Sequence, residues 1–275
     1  MKEYKIVVQN VDSNLTPKAY DRFGDDKILW TTIFRTVQGE GPYAGYPSVF
    51  LRLSGCNFGG KDIACGFCDT NFQFDKGNLS TIEELVDLVV KERKYSSDVL
   101  VITGGEPTLQ KNLKRFIDTV YPHFSDVQIE TNGTQVSYFK QYDVSEDISY
   151  EDYPYYPLVV VSPKALVKAG KYPKLSDSVL KYATCLKFVL DSNPESPHHT
   201  VPEWALEWGK ETGSTVYVSP MAIYAKAYEG EVSSIWEEGL IDKELTSMNY
   251  KYAAEYAMEH GLIVSTQQHL FYGLA

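Results

Sequence analysis

The sequence predicts an α/β protein built from parallel βαβ units, on three observations. Short apolar runs with strand character alternate about six times with segments of helical period, the pattern of a parallel sheet covered by helices. Polar or Gly-rich motifs follow these runs at their C-terminal ends: the cysteines after SVFLRL, GGEP after VLVIT, TNG after VQIE and SPK after LVVV. In α/β barrels and open α/β sheets that edge carries the binding site. Finally, 275 residues with 43% hydrophobic content can bury a sizeable core, in one domain or two.

The elements follow in order. Residues 1–28 are a polar lead-in with one alternating stretch, YKIVVQ. Leu29–Thr36 alternates and makes a first core strand, QGEGPYAGYP is a loop, and SVFLRLSG is an apolar strand leading into the cysteines. STIEELVDLVVKER opens on Ser/Thr, has acids in its first turn and bases in its last, and spaces Ile82, Leu85, Val86, Val89 and Val90 on one helical face. DVLVITGGEP is a buried strand with a Gly-rich turn, NLKRFIDTVYPHF a helix and VQIETNGT a strand. After an acidic, Tyr-rich passage at 142–157 come strand LVVVSPK, helix KLSDSVLKYA and strand CLKFVLD. Residues 193–213 are a loop and a helix, STVYVSPM a strand, LTSMNYKYAAEYAMEHG a helix closed by Gly261, and LIVSTQQH the last strand. There is no internal repeat.

Composition excludes several classes. Thirty-seven acids against 26 bases give a formal charge of −11, the wrong sign for a general nucleic-acid surface. No run approaches the roughly 20 apolar residues of a membrane span, and MKEYKIVVQN lacks the apolar core of a signal peptide. The expected location is therefore the cytoplasm. Twenty-one tyrosines are read as packing residues.

Three of the four cysteines, Cys56, Cys65 and Cys68, fall within 13 positions, with eight residues between the first two and two between the second pair. In a reducing compartment this suits a metal site better than a disulfide framework. Thiolates select zinc, copper(I) or iron–sulfur clusters. Three are one short of an ordinary 4Fe-4S site and of a closed zinc site, so a cluster held here keeps a position open for chemistry. No histidine stands at ligand spacing to complete a zinc knuckle. Cys185, in an apolar strand, reads as a buried structural thiol.

Around this stretch stand VQGEG (37–41), Arg52, CDT (68–70), TGGEP (103–107), ETNG (130–133), SPK (162–164), LKFV (186–189) and the terminal QQHLFYGLA. Together, over roughly residues 33–275, they resemble the 7-carboxy-7-deazaguanine synthase family of radical S-adenosylmethionine (SAM) enzymes. The resemblance sharpens the fold to a partial (β/α)6 radical-SAM-type barrel with an extended cluster loop, residues 29–275 being one catalytic domain behind an N-terminal extension, 1–28. The spacing between the first two cysteines exceeds the usual one. Family members vary that loop, so it reads as an insertion.

The resemblance implies that Cys56, Cys65 and Cys68 ligate a 4Fe-4S cluster whose fourth iron takes SAM, and that Thr70 binds Mg²⁺, for which a hydroxyl oxygen is a suitably hard ligand. It implies a SAM site at Gly66, Phe67, Gly104, Gly105, Glu106, Glu130, Ser162, Pro163 and Lys164. The two glycines of TGGEP would let backbone approach a ligand closely, and Glu106 would add charge or orient the turn. It implies a substrate site at Val37, Gln38, Gly39, Glu40, Arg52, Thr103, Gln267, His269 and the terminal carboxylate of Ala275. An amide and a carboxylate at 38 and 40 suit the donor and acceptor edge of a purine-like ring, and Arg52 suits an anionic carboxylate. The implied reaction is ring contraction of 6-carboxy-5,6,7,8-tetrahydropterin to 7-carboxy-7-deazaguanine with loss of ammonia, in deazapurine (queuosine-type) biosynthesis. An electron donor such as flavodoxin or ferredoxin and a homodimer are implied too, without nucleic acid or membrane partners. Lys187 is read as a core-edge residue only. Two other classes stand beside this one: a glycyl-radical-type activating enzyme acting on a protein, and a non-enzymatic zinc-binding module.

Overall fold

The computed structural model describes residues 24–58, 77–143, 155–165, 171–224 and 241–274. The described residues fall into two compact units, one drawn from 24–35, 48–58, 77–143 and 155–158, the other from 36–47, 159–165, 171–224 and 241–274.

The first unit holds β1 (Lys27–Val37), β2 (Pro47–Leu53), β3 (Asn78–Thr81), α1 (Ile82–Glu92), β4 (Val99–Gly104), α2 (Leu113–Val120), β5 (Val127–Thr131) and the single turn α3 (Val136–Phe139). Its strands lie in the order β3-β1-β2-β4-β5. The βαβ pairs β2–β4 and β4–β5 are parallel, as the alternation predicts. β3 is an addition: it pairs antiparallel with the start of β1, Lys27 opposite Thr81. This pairing begins β1 two residues before the predicted Leu29. α1 starts where its sequence says it should. Thr81 and Glu84 form a reciprocal capping box, the Glu84 amide donating to the Thr81 hydroxyl at 3.2 Å and the Thr81 amide to the Glu84 carboxylate at 2.9 Å. Its buried face, Ile82, Leu85, Val86 and Val89, packs beside that of α2, Leu113, Phe116, Ile117 and Val120. Asp98, at the start of β4, is stapled by both nitrogens of the Arg35 fork at 2.8 and 3.0 Å. The unforeseen turn α3 buries Tyr138 and Phe139, the 3-10 turn after it (Lys140–Tyr142) buries Tyr142, and the two tyrosine hydroxyls bond at 2.9 Å. This gives part of the tyrosine excess a packing role.

The second unit holds β6 (Leu158–Val161), α4 (Asp177–Leu180), β7 (Cys185–Leu190), α5 (Glu203–Thr212), β8 (Thr215–Pro220), α6 (Lys243–His260), β9 (Ile263–Val264) and α7 (Gln268–Phe271). Strands β6-β7-β8-β9 are all parallel. α6 is capped by Asp242, which accepts from the Leu245 amide at 3.0 Å, and closed by Gly261 in the left-handed region at φ 68°. Two predicted elements shrink. KLSDSVLKYA yields one helical turn, Asp177–Leu180. LIVSTQQH yields a two-residue strand, because beyond Val264 the chain turns to bond the 38–41 loop: Ser265 accepts from the Gly41 amide at 2.9 Å, and the Gln268 amide donates to Gly39 at 3.2 Å. Among the described residues no helix is long and apolar enough to cross a membrane.

Candidate active site

In the first unit, β2 delivers Arg52 to its C-terminal end and places Cys56 four residues on. Arg52 lies opposite Thr103 in the β2–β4 register, and Leu53 opposite Gly104. The Arg52 guanidinium sits 5.0 Å over the Phe34 ring. Gly104 takes φ +121°, and a Cβ there would fall 2.1 Å from the Leu53 carbonyl oxygen; one on Gly105 would fall 2.0 Å from that of Gly55. The Gly105 amide donates to Leu53 at 3.1 Å and the Glu106 amide to Gly55 at 2.8 Å. The glycine pair therefore closes against the backbone that presents Cys56. The Gly105 and Glu106 amides are thereby engaged by that backbone. Gly105→Ala is expected to push the Gly55–Cys56 turn out of place and to destabilise the fold by about 2–3 kcal/mol. Thermal unfolding and iron content measured on the same sample test this, and unchanged values for both would refute it.

Glu106 is 1% exposed. Its carboxylate accepts from the Thr108 amide at 3.0 Å, the Thr131 hydroxyl at 2.6 Å, the Asn132 amide at 2.7 Å and the Thr108 hydroxyl. Burial raises its pKa, against the pull of these donors. All four partners give protons, so the cavity is built for the ionised form. The side chain ties the TGGEP turn to the ETNG turn. Asn132 extends the tie to the cysteine stretch, its amide donating to Asn57 at 2.9 Å, while Asn57 donates to Thr134 at 2.8 Å. Gln110, which sequence reasoning missed, exchanges hydrogen bonds with both backbone groups of Leu29 and donates to Ser54. Glu130 accepts from Gln128 at 3.1 Å. Cys56 is buried, and its sulfur accepts from the Phe58 amide at 3.4 Å, a contact suited to a thiolate. Cys65, Gly66, Phe67, Cys68 and Thr70 lie outside the described residues, as does Ala275.

In the second unit, Val37 ends β1 and the QGEG loop follows. Gln38 is 2% exposed and pinned from both sides, its amide donating to Tyr46 and its carbonyl accepting from Gly45, each at 2.8 Å. Gly39 is pressed against the terminal segment: a Cβ there would fall 2.1 Å from His269 Nδ1. So the loop and the QQH segment, with Gln267 preceding α7 and His269 within it, come together as one assembly. Glu40 is held by Lys187 Nζ at 2.8 Å and by the Ser219 hydroxyl at 3.3 Å. Lys187 is thus no mere core-edge residue. Burial first, and then the Glu40 charge, push the nearby Tyr250 hydroxyl up to about 12.

After β6, Ser162 accepts from Lys164 Nζ at 2.9 Å across Pro163. His198 bonds the Tyr172 hydroxyl at 2.7 Å. Burial, and then the Lys164 charge, lower its pKa to about 4, with Asp191 opposing. The unfolded chain therefore binds the extra proton first as pH falls. Stability from this group is fully present above about 6.5 and is lost progressively toward about pH 4. His198→Gln is expected to flatten that slope by about 1–2 kcal/mol after allowance for solvent screening. Urea unfolding at pH 7 and pH 4.5 reads it, and parallel slopes for the two proteins would sink it.

Residues 51–153 match the Radical SAM superfamily. Over 264 residues the chain is 30% identical to the 7-carboxy-7-deazaguanine synthase of Rickettsia prowazekii (strain Madrid E), covering 94% of each. The chain belongs to the 7-carboxy-7-deazaguanine synthase family. The family's Aquifex aeolicus (strain VF5) member is 34% identical over 172 residues, 61% of this chain and 67% of that one. The crystal structure of QueE from Escherichia coli superposes with TM-score 0.58 at 20% identity, covering 88% of this chain and 94% of that one. The fold is the α/β partial barrel of radical SAM proteins. With the radical SAM domain come a 4Fe-4S cluster and SAM as cofactors. Membership of the 7-carboxy-7-deazaguanine synthase family favours neither the protein-activating nor the zinc-module reading.

Proposed function

We propose that this chain converts 6-carboxy-5,6,7,8-tetrahydropterin to 7-carboxy-7-deazaguanine with release of ammonia. The observation that carries the reading is the match to a 7-carboxy-7-deazaguanine synthase over 94% of both chains, and the QGEG loop supports it, with Gly39 pressed against the terminal QQH segment and the Glu40 carboxylate held by Lys187 and Ser219. When bound, the cluster and SAM supply the radical that starts the reaction, chemistry no side chain can provide. The protein's own work is to bind, orient and exclude water.

Cys56, Cys65 and Cys68 would hold the cluster. The buried Cys56 with its amide donor suits a thiolate ligand. Thr70 would hold Mg²⁺. Ser162, Lys164, Glu130 and the backbone about Gly66, Phe67 and Gly104 would receive SAM, with Glu106 and Gly105 fixing the turn from behind. Gln38 and Glu40 would read the pyrimidine edge of the pterin, Arg52 and Thr103 its carboxylate side, and Gln267, His269 and the Ala275 carboxylate would close over it. We further assign residues 29–275 to one catalytic domain, acting in the cytoplasm as a homodimer with flavodoxin or ferredoxin as electron donor.

The test is anaerobic turnover of cluster-reconstituted protein with SAM, reductant, Mg²⁺ and the pterin. SAM-dependent formation of 7-carboxy-7-deazaguanine, diminished when Mg²⁺ is omitted, is the expected result. Cleavage of SAM without that product would overturn the substrate, and a full cluster without SAM cleavage would overturn the reaction class.

A further inference from the structure

Lys187 lies in the middle of β7, opposite Tyr217 of β8, and is 6% exposed. A lysine this buried keeps its charge only beside a compensating group. That group is Glu40, 147 positions away in sequence and 2.8 Å away in space. The pair is unequal in exposure: the lysine side chain is 7% accessible and the glutamate 17%, so the carboxylate is the end nearer to anything that binds. One Glu40 oxygen takes Lys187 and the other takes the Ser219 hydroxyl. An ionised carboxylate has about four lone-pair sites, so each oxygen retains capacity for one more donor. The loop beneath is fixed independently, by Gly41 on Ser265 and Gly39 on Gln268. Backbone and side chain of Glu40 are therefore both set before any ligand arrives, and an acceptor fixed in advance loses little freedom on binding.

We propose that Lys187 is a positioning residue for the substrate: its ammonium holds the Glu40 carboxylate in one orientation, presenting acceptors to the N–H edge of a 2-amino-4-oxopyrimidine ring. This rests on the function proposed above and deepens it. Lys187 acts through Glu40 and does not itself touch the ring. The role predicts weaker binding without slower chemistry, because the interaction is the same in the ground state and the transition state.

The experiment compares wild type, Lys187→Met, Lys187→Arg, Glu40→Gln and the Glu40→Gln/Lys187→Met double variant, all cluster-reconstituted. It reads steady-state kinetics and anaerobic equilibrium binding of 6-carboxytetrahydropterin, with iron content and thermal unfolding as controls. Lys187→Met is expected to raise KM and Kd about tenfold or more, with kcat held within about threefold. Lys187→Arg should recover most of the loss. The double variant should bind as Glu40→Gln does, since a residue acting only through Glu40 adds nothing once that charge is gone. Unchanged binding in Lys187→Met, or effects that multiply in the double variant, would overturn the proposal. If Lys187→Met fails to fold, the arginine variant and the double variant, which strands no buried charge, still decide it. A wild type that binds no pterin and makes no product overturns the proposed function itself, a result distinct from any difference among variants.

Discussion

Cys56→Ala is expected to reduce SAM cleavage and product formation to background while leaving the fold in place. Cys56 is the cysteine of the proposed cluster triad that the structure describes, and its setting is rigid. The turn that carries it accepts the Gly105 and Glu106 amides on Leu53 and Gly55, Asn57 is tied to Asn132 and Thr134, and the sulfur takes the Phe58 amide. A ligand so placed contributes position as well as charge, and two remaining thiolates cannot hold three irons. The side chain itself is small, so its loss from the packing costs only about 1 kcal/mol. Cys185→Ala is the matched contrast. It too is buried, in β7, and its loss should cost a similar amount of stability and no iron. Iron and sulfide per chain, 5′-deoxyadenosine release and thermal midpoint, measured on both variants, make the comparison. Full iron in Cys56→Ala, or lost iron in Cys185→Ala, would contradict the assignment.

Glu106→Ala should destabilise the first unit by about 3–5 kcal/mol. The substitution strands the amides of Thr108 and Asn132 and the hydroxyls of Thr108 and Thr131, all of which converge on one carboxylate. Buried donors without acceptors each carry a desolvation cost. Glu106→Gln is the sharper probe. Its oxygen can serve the Thr108 and Thr131 side, but its NH₂ then faces the Asn132 N–H, donor against donor. It should cost about 1–3 kcal/mol, less than alanine. Because the TGGEP and ETNG turns would loosen together, iron retention should fall in parallel with stability. Urea unfolding in the apo and reconstituted states separates the two effects. An alanine variant within about 0.5 kcal/mol of wild type would show that water replaces the carboxylate without loss.

What the sequence alone determined was whatever is written within a few residues. The α1 cap needs only Thr81 and Glu84 three positions apart, the end of α6 needs only Gly261, and the strand–helix alternation needs only local periodicity. The motifs at strand ends were legible for the same reason: a parallel sheet puts them on one edge whatever the loops do. The family too was legible, because its motifs recur at recognisable intervals.

The tertiary structure decided what depends on a partner far along the chain. Lys187 looked like a strand residue with an incidental charge until Glu40 stood beside it. That the missing side chains of the GGEP glycines make room for Leu53 and Gly55 was not legible either, because those partners lie about 50 positions back along the chain. Gln110 carried no signal at all, since an amide that serves the backbone of Leu29 resembles any other glutamine. The last strand stops at Val264 because the chain beyond it bonds the 38–41 loop, through the Ser265 hydroxyl and the Gln268 amide, partners more than 220 positions away that local pattern cannot show. Local propensity is a property of neighbours in sequence. The pairing of a buried charge or an unsatisfied amide is a property of neighbours in space, and only folding brings those together.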